Sequence, residues 1–155
     1  FTISTVGLVP MIRKFAAEKR QVNLAISLHA AEDERRSALM PVNRKYPIDE
    51  LIQACREYVE ITGRRVTFEW ALIAGENDTI DEARRLAALL KGLLCHVNLI
   101  PLNPTQKYAG QGSPRERVEA FAGVLERAGI PATIRMRRGM DIQAGCGQLA
   151  TEAGG

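Results

Sequence analysis

Cysteine and histidine are scarce in this 155-residue chain, and their scarcity excludes several classes of protein. Cys55, Cys95 and Cys146 lie far apart and are odd in number, so they do not form a disulfide framework and indicate a reducing, cytoplasmic compartment. No CxxC pair or Cys/His cluster has metal-ligand spacing. His29 and His96 have no neighbouring ligand residue. We therefore expect no metal ligands in this chain.

Long apolar runs and aromatic side chains are also scarce. No run approaches the length of a membrane-spanning helix and no signal peptide opens the chain, so we expect no membrane partner. Aromatic residues make up 5% of the sequence, which leaves no evident platform for stacking nucleic-acid bases. The net charge of +3 is compatible with a nucleic-acid partner without requiring one. The length and the 46% hydrophobic share suit a single globular domain over residues 1–155.

Strand and helix patterns alternate along the whole chain. The β-rich or alternating segments are 1–5, 22–30, 65–75, 96–104 and 132–139. Helical spacing separates them, and two capping boxes mark helix starts, Thr79 with Glu82 and Ser113 with Glu116. This order predicts an α/β fold in which helices cover a parallel sheet.

Each predicted strand has one bulky face and one polar or small face. Leu24, Ile26 and Leu28, for example, alternate with Ala25, Ser27 and His29. A parallel sheet covered on both sides would be apolar on both faces. The pattern therefore favours a barrel or half-barrel whose polar face lines a cavity over an open sheet with one solvated face. Ligands of such folds bind at the carboxyl ends of the strands, where the sequence places Ser27, His29 and Asn103.

Several polar residues have both a functional and a structural interpretation. Ser27 and His29 could hold a polar ligand or form a buried hydrogen-bonded pair. Glu69 could contact a ligand or an ion-pair partner, and Asn77-Asp78 is typical of a turn. A group of arginines could contact phosphates or form a solvated edge: Arg135, Arg137 and Arg138.

Cys146 differs from the other two cysteines. Cys55 lies on a helical apolar stripe and Cys95 precedes a strand, so both are predicted to be packing residues. Cys146 stands between Gly145 and Gly147, downstream of the three arginines. Access and nearby cations favour a reactive thiolate, and an unremarkable exposed thiol is the alternative.

Six segments occur in a specific order: ISTVGLVP (3–10), LAISLHA (24–30), LMPVNRKYP (39–47), GRRVTFEWALIAGEND (63–78), HVNLIPLNP (96–104) and RGMDIQAGCGQLA (138–150). In that order they closely resemble the radical SAM adenine-C2 RNA methyltransferases, over almost the whole chain. Members of this family methylate an adenosine of 23S rRNA and, in many bacteria, one in tRNA.

The resemblance implies a fold, a site and a set of partners. The fold is a partial (β/α)₆ TIM-like barrel, of which this chain would be the C-terminal portion. S-adenosylmethionine would be bound by Ser4, Ser27, Leu28, His29 and Asn103. Cys146 would carry the methyl group as S-methylcysteine on its way to adenine C2. A 4Fe-4S cluster and a reductant protein would complete the radical chemistry.

The chain also departs from the family pattern. It lacks the CxxxCxxC loop that holds the cluster, the glycine- and glutamate-containing motif for the amino group of S-adenosylmethionine, and the resolving cysteine. We therefore expect a C-terminal fragment that is inactive by itself. We also expect a raw sheet edge at residues 1–5 that pairs with another chain or lowers solubility. Arg137 and Met140 replace residues that are more usual in the family.

Three other functions stay open at this point. The motifs do not separate methylation at adenine C2 from methylation at C8 by the relatives that confer antibiotic resistance. A non-catalytic RNA-binding α/β domain would also fit the composition. An unrelated α/β barrel enzyme could use Glu69 and His29 as acid and base.

Overall fold

Strands and helices alternate in the computed structural model, which describes residues 2–19, 22–102 and 113–135. In chain order the elements are β1 Thr2–Thr5, α1 Val9–Ala17, β2 Asn23–Ser27, α2 Asp33–Leu39, a 3₁₀ helix Pro41–Arg44, α3 Ile48–Thr62, β3 Val66–Leu72, α4 Ile80–Leu89, β4 Cys95–Pro101, α5 Arg115–Arg127 and β5 Ala132–Ile134. The predicted α/β alternation is confirmed. The prediction that residues 1–155 form one domain stays a prediction, since part of the chain falls outside the described residues.

The strands form one parallel sheet in the order β1-β2-β3-β4-β5. Neighbours in sequence are therefore neighbours in space, as in a β/α barrel. Right-handed crossovers in such a sheet place every connecting helix on the same face. The predicted parallel sheet with covering helices, part of a TIM-like barrel, is thus confirmed. Within the described residues β1 is an edge strand; the pairing of that edge with another chain stays a prediction.

The main core lies between the helices and the bulky face of the sheet. Leu24, Ile26 and Leu28 of that face are fully buried, as the alternation of the sequence predicts. Trp70 and Phe121 meet in this core with ring centroids 5.6 Å apart and planes at 45°. Each such side chain contributes about 1.5–3 kcal/mol by leaving water, so this layer dominates the stability of the fold.

Element boundaries follow local chemistry, with one exception. Gly63 ends α3 in a left-handed conformation with φ of 71°. The Thr79 hydroxyl accepts a hydrogen bond from the Glu82 amide at 3.1 Å, as predicted for an N-cap. The second predicted cap is wrong, because Ser113 donates its hydroxyl to the buried Asp78 carboxylate at 2.8 Å instead. A hydrogen bond to a charged acceptor is stronger than a neutral cap.

The Trp70–Phe121 contact predicts a measurable loss of stability on truncation. Phe121→Ala should lower the free energy of unfolding by about 3–5 kcal/mol, because it leaves a cavity beside Trp70. Urea unfolding followed by circular dichroism measures the change. Leu94 is 53% exposed, so Leu94→Ala is the matched control and should change stability by less than about 0.5 kcal/mol. Equal losses in the two variants would contradict this account of the core.

Candidate functional site

The face of the sheet that points away from the helices lines a cleft of about 580 Å³. Its lining is polar and includes Ser4, Thr67, Glu69, His96, Asn98 and Arg135. The polar face predicted from the alternation of the strands therefore does line a cavity. A concave surface with several convergent polar groups is the usual form of a ligand site.

Strand register arranges these polar residues in a row across the sheet. Ser27 lies opposite Glu69, Glu69 opposite Asn98, and Asn98 opposite Thr133. Because side chains alternate along each strand, residues in register project from the same face. Ser27 is the last residue of β2, so the row reaches the carboxyl end of the sheet there.

Beyond this row the same face becomes apolar. Ala71, Ile73, Ile100 and Leu102 form a separate buried cluster at the carboxyl ends of β3 and β4. His29 borders this cluster, since its ring hydrogen-bonds the backbone of Ala71. The surface therefore passes from polar to apolar across the Ser27–His29 segment. That gradient suits a ligand that combines hydroxyl or charged groups with a flat heterocycle.

His29 has a defined conformation and tautomer. Its φ is 61°, in the left-handed region that non-glycine residues rarely adopt. The Ala71 amide donates to Nδ1 of the ring at 2.9 Å. A neutral imidazole that accepts at Nδ1 carries its proton on Nε2, so the ring is a donor at that atom. Ser27 and His29 are both buried, at 7% and 9% exposure.

Two buried side chains, Arg36 and Asn77, hydrogen-bond the backbone of the Ser27-Leu28-His29 segment. The sequence pattern indicated no function for Arg36. Arg36 donates from Nη2 to the carbonyl oxygens of Val6 and Ser27 at 2.8 Å, and from Nε to that of Leu28 at 3.1 Å. Burial lowers the pKa of Arg36 to about 10, against the opposing effect of the Asp33 carboxylate. The guanidinium therefore stays charged at neutral pH.

Asn77 is the second of these side chains. Its amide nitrogen donates to the carbonyl oxygens of His29 at 2.9 Å and Ala71 at 2.7 Å, and its oxygen accepts from the Ile73 amide at 2.7 Å. The turn predicted at Asn77-Asp78 is present, but Asn77 also bridges to β2. Position before a helix was the only sequence signal, and it does not reveal a partner so distant along the chain.

The remaining predicted site residues divide into three groups. Ser4 is exposed in β1, and Arg135 is exposed after β5; both line the cleft. The Leu28 side chain lies in the core, and its amide donates to the Glu69 carbonyl at 3.0 Å. Four residues lie outside the described part of the chain: Asn103, Arg137, Arg138 and Cys146.

The two described cysteines are unsuited to bind a metal cluster. Cys55 and Cys95 are buried in the core between sheet and helices. Burial raises the pKa of the Cys55 thiol far above its usual range and that of Cys95 to about 11, so both are protonated at neutral pH. In residues 2–19, 22–102 and 113–135, no group of three His, Cys, Asp or Glu side chains could hold a metal ion. The residues described therefore do not fit a 4Fe-4S cluster.

A helix must be both long and apolar to span a membrane. In the part of the chain that the structure covers, no helix combines the length and the apolar character needed to cross a bilayer.

Comparison with known proteins shows which enzymes the chain is similar to. No family model matches it. A crystal structure of a radical SAM methyltransferase from Sphaerobacter thermophilus matches with a TM-score of 0.88 and 58% identity, over 95% of this chain and 43% of that one. The "Dual-specificity RNA methyltransferase RlmN 1" of Myxococcus xanthus is 55% identical over 148 residues, and the "Probable dual-specificity RNA methyltransferase RlmN 2" of Opitutus terrae is 57% identical over 150 residues.

The strands form a half-barrel whose inner face carries the cleft. The match to the Sphaerobacter thermophilus structure, at 58% identity, shows that this is the fold of the radical SAM methyltransferases. More particularly, over the stretch that it covers, the chain is similar to proteins named RlmN dual-specificity RNA methyltransferases. The matches cover 96% of the chain in both relatives, but the chain spans only 41% and 35% of their respective lengths.

The burial of the two core cysteines predicts their reactivity. At about pH 8, roughly one thousandth of Cys95 thiols would be ionised, and fewer at Cys55, because both pKa values are raised. Iodoacetamide should leave both unmodified in the native chain and alkylate both in urea, as measured by peptide mass spectrometry. Rapid native alkylation of either cysteine would contradict the burial described here.

Proposed function

We propose that the protein containing this chain is a radical SAM enzyme that methylates C2 of an adenosine in 23S rRNA and in tRNA. The observation that carries the proposal is the position of Ser27 and His29 at the carboxyl end of β2. Neither residue lines the cleft itself, but Glu69 of the cleft lies opposite Ser27 in the sheet, and His29 borders the apolar cluster. The similarity of the chain to RlmN RNA methyltransferases and to a radical SAM methyltransferase supports the same reaction class.

The inner face has the donor set that S-adenosylmethionine requires. The Ser4 and Ser27 hydroxyls and the His29 ring can hydrogen-bond its hydroxyl and carboxylate groups, and the adjoining apolar cluster suits its adenine. We assign Asn103 to the same site. Leu28 would contribute by spacing, since its buried side chain sets Ser27 and His29 on the opposite side of the segment. When bound, S-adenosylmethionine supplies an electrophilic methyl group.

Cys146 is the residue to which we assign the methyl relay. Adenine C2 is electron-poor and does not attack an electrophilic methyl group. A thiolate is a soft nucleophile that would take the methyl group from the sulfonium sulfur and become a thioether, with S-adenosylhomocysteine as the leaving group. The radical chemistry that the 4Fe-4S cluster would supply would then move this carbon to C2. Cys55 and Cys95 are core thiols, and the resemblance to the radical SAM RNA methyltransferases assigns the relay to Cys146. The 4Fe-4S cluster and its reductant protein belong to the proposal for the whole protein.

RNA contact is assigned to the arginines that follow β5. Arg135 is exposed at the rim of the cleft, and Arg137 and Arg138 come next in the sequence. Guanidinium groups bind phosphates in bidentate fashion and position an RNA without reading its sequence. The three widely spaced cysteines favour a cytoplasmic location.

Replacement of Cys146 tests the relay. In the full-length enzyme, Cys146→Ala should lower RNA methylation by at least about 10³-fold, because the methyl acceptor is lost. The wild-type peptide that contains Cys146 should carry the added mass of one methyl group. Cys95→Ala is the control and should retain methylation. An active Cys146→Ala enzyme would overturn the assignment, and mass spectrometry of the product would distinguish 2-methyladenosine from 8-methyladenosine.

The cofactor site has its own test in the affinity for S-adenosylmethionine. Ser27→Ala in the full-length enzyme should weaken S-adenosylmethionine binding by about fivefold, the usual effect of one lost hydrogen bond of about 1 kcal/mol. Isothermal titration calorimetry measures it, with RNA affinity as the control that should not change. Unchanged S-adenosylmethionine affinity would place the cofactor elsewhere.

A further inference from the structure

We propose that Arg36 and Asn77 are positioning residues, which hold the Ser27-Leu28-His29 segment in the conformation that binds S-adenosylmethionine. Neither side chain would need to touch the cofactor. The inference rests on the proposed function, because it takes this segment to be part of the cofactor site.

The segment needs external support to keep its shape. β2 ends at Ser27 and the chain turns at His29, whose φ of 61° is sparsely populated for a residue with a side chain. Such a conformation persists only where the surroundings determine it. Here three successive carbonyl oxygens, those of Ser27, Leu28 and His29, accept hydrogen bonds from Arg36 or Asn77.

Arg36 ties together the two strands that carry the predicted cofactor residues. Its Nη2 reaches the carbonyl of Val6, just beyond β1 with Ser4, and the carbonyl of Ser27 at the end of β2. Its Nη1 donates to Oδ1 of Asn43 at 3.1 Å, which orients the guanidinium. The side chain is fully buried. Only the planar fork of an arginine reaches these acceptors at once.

Asn77 acts on the other side of the segment. Its amide holds the carbonyls of His29 and Ala71 together, while the Ala71 amide donates to the His29 ring. The backbone carbonyl of Asn77 accepts from Nε1 of Trp70 at 3.2 Å, which fixes Asn77 against the core. The position and tautomer of the His29 ring thus depend on the pairing of Asn77 with β3.

The opposite end of β2 offers a matched control. There the buried Tyr58 hydroxyl donates to the Val22 carbonyl at 2.9 Å. Like Arg36, Tyr58 is a buried side chain that donates to a backbone carbonyl next to β2, but at the amino end of the strand, where the Val22 carbonyl also accepts from Nε of Arg64 at 3.1 Å. Tyr58→Phe removes a hydrogen bond far from the Ser27-Leu28-His29 segment. A loss of cofactor affinity that also appears in Tyr58→Phe would therefore reflect lost stability alone.

The decisive experiment measures S-adenosylmethionine affinity in the full-length enzyme for Arg36→Lys, Asn77→Ala and Tyr58→Phe. If the first two lower the competent population of the segment to about one tenth, their dissociation constants rise about tenfold. We expect that rise with RNA affinity unchanged, and no rise in Tyr58→Phe. Lysine keeps the positive charge of Arg36 but lacks its planar, forked guanidinium. Arg36→Lys should therefore not bind S-adenosylmethionine like wild type.

Amide hydrogen exchange separates a local change at the Ser27-Leu28-His29 segment from a general loss of stability. Without cofactor, exchange at Ala71 should be faster in Arg36→Lys and Asn77→Ala than in wild type, and unchanged in Tyr58→Phe. If Arg36→Lys does not fold, Asn43→Ala replaces it, since that variant leaves Arg36 in place and removes the bond that orients its guanidinium, together with the Asn43 bonds to Asp33 and Ser37. Wild-type cofactor affinity and wild-type Ala71 exchange in the folded variants would overturn the inference.

The same measurements separate this inference from the function on which it rests. If Ser27→Ala weakens cofactor binding but the Arg36 and Asn77 variants do not, only the positioning role is overturned. If Ser27→Ala binds S-adenosylmethionine like wild type, the proposed site is wrong and the inference falls with it.

Discussion

Right-handed crossovers in a parallel sheet of sequential strand order put every helix on one face, and the rest of this structure depends on that constraint. One face of each strand must be apolar to pack under the helices, as Leu24, Ile26 and Phe68 do. The other face is released from that demand and can carry hydroxyls, amides and charges without burying them in the core. The sheet therefore has a structural side and a chemical side.

The chemical side creates a second requirement at the carboxyl ends of the strands. Backbone carbonyls beyond the last paired residue of a strand need other hydrogen-bond donors, because a buried carbonyl without a donor lowers the stability of the fold. Arg36 and Asn77 supply these donors from the loops and helices that follow β2 and β3. Arg36 and Asn77 thus satisfy backbone carbonyls, and the residues proposed to bind the cofactor, Ser27 and His29, lie on the backbone that these two side chains hold.

The cysteines show how environment divides one residue type into two roles. Cys55 and Cys95 behave as small apolar groups, since burial disfavours their thiolates. Methyl relay requires the opposite, an accessible thiolate, and among the three cysteines only Cys146 has flanking glycines and nearby arginines in its sequence. A thiol buried in the core, as in Cys55 and Cys95, could reach neither a cofactor nor an RNA.

Local pattern by itself determined which face of each strand meets the helices, that α4 begins after Thr79, and that Ser27 and His29 stand at a strand end. These properties depend on neighbours within a few residues. Only the tertiary structure decided the partners of Arg36, Asn77 and Ser113, which are 30, 48 and 35 residues away at Val6, His29 and Asp78. Sheet register brings those pairs together, and no local periodicity encodes a contact across two strands. For that reason a sequence pattern that predicted the cofactor residues could not predict the residues that hold them.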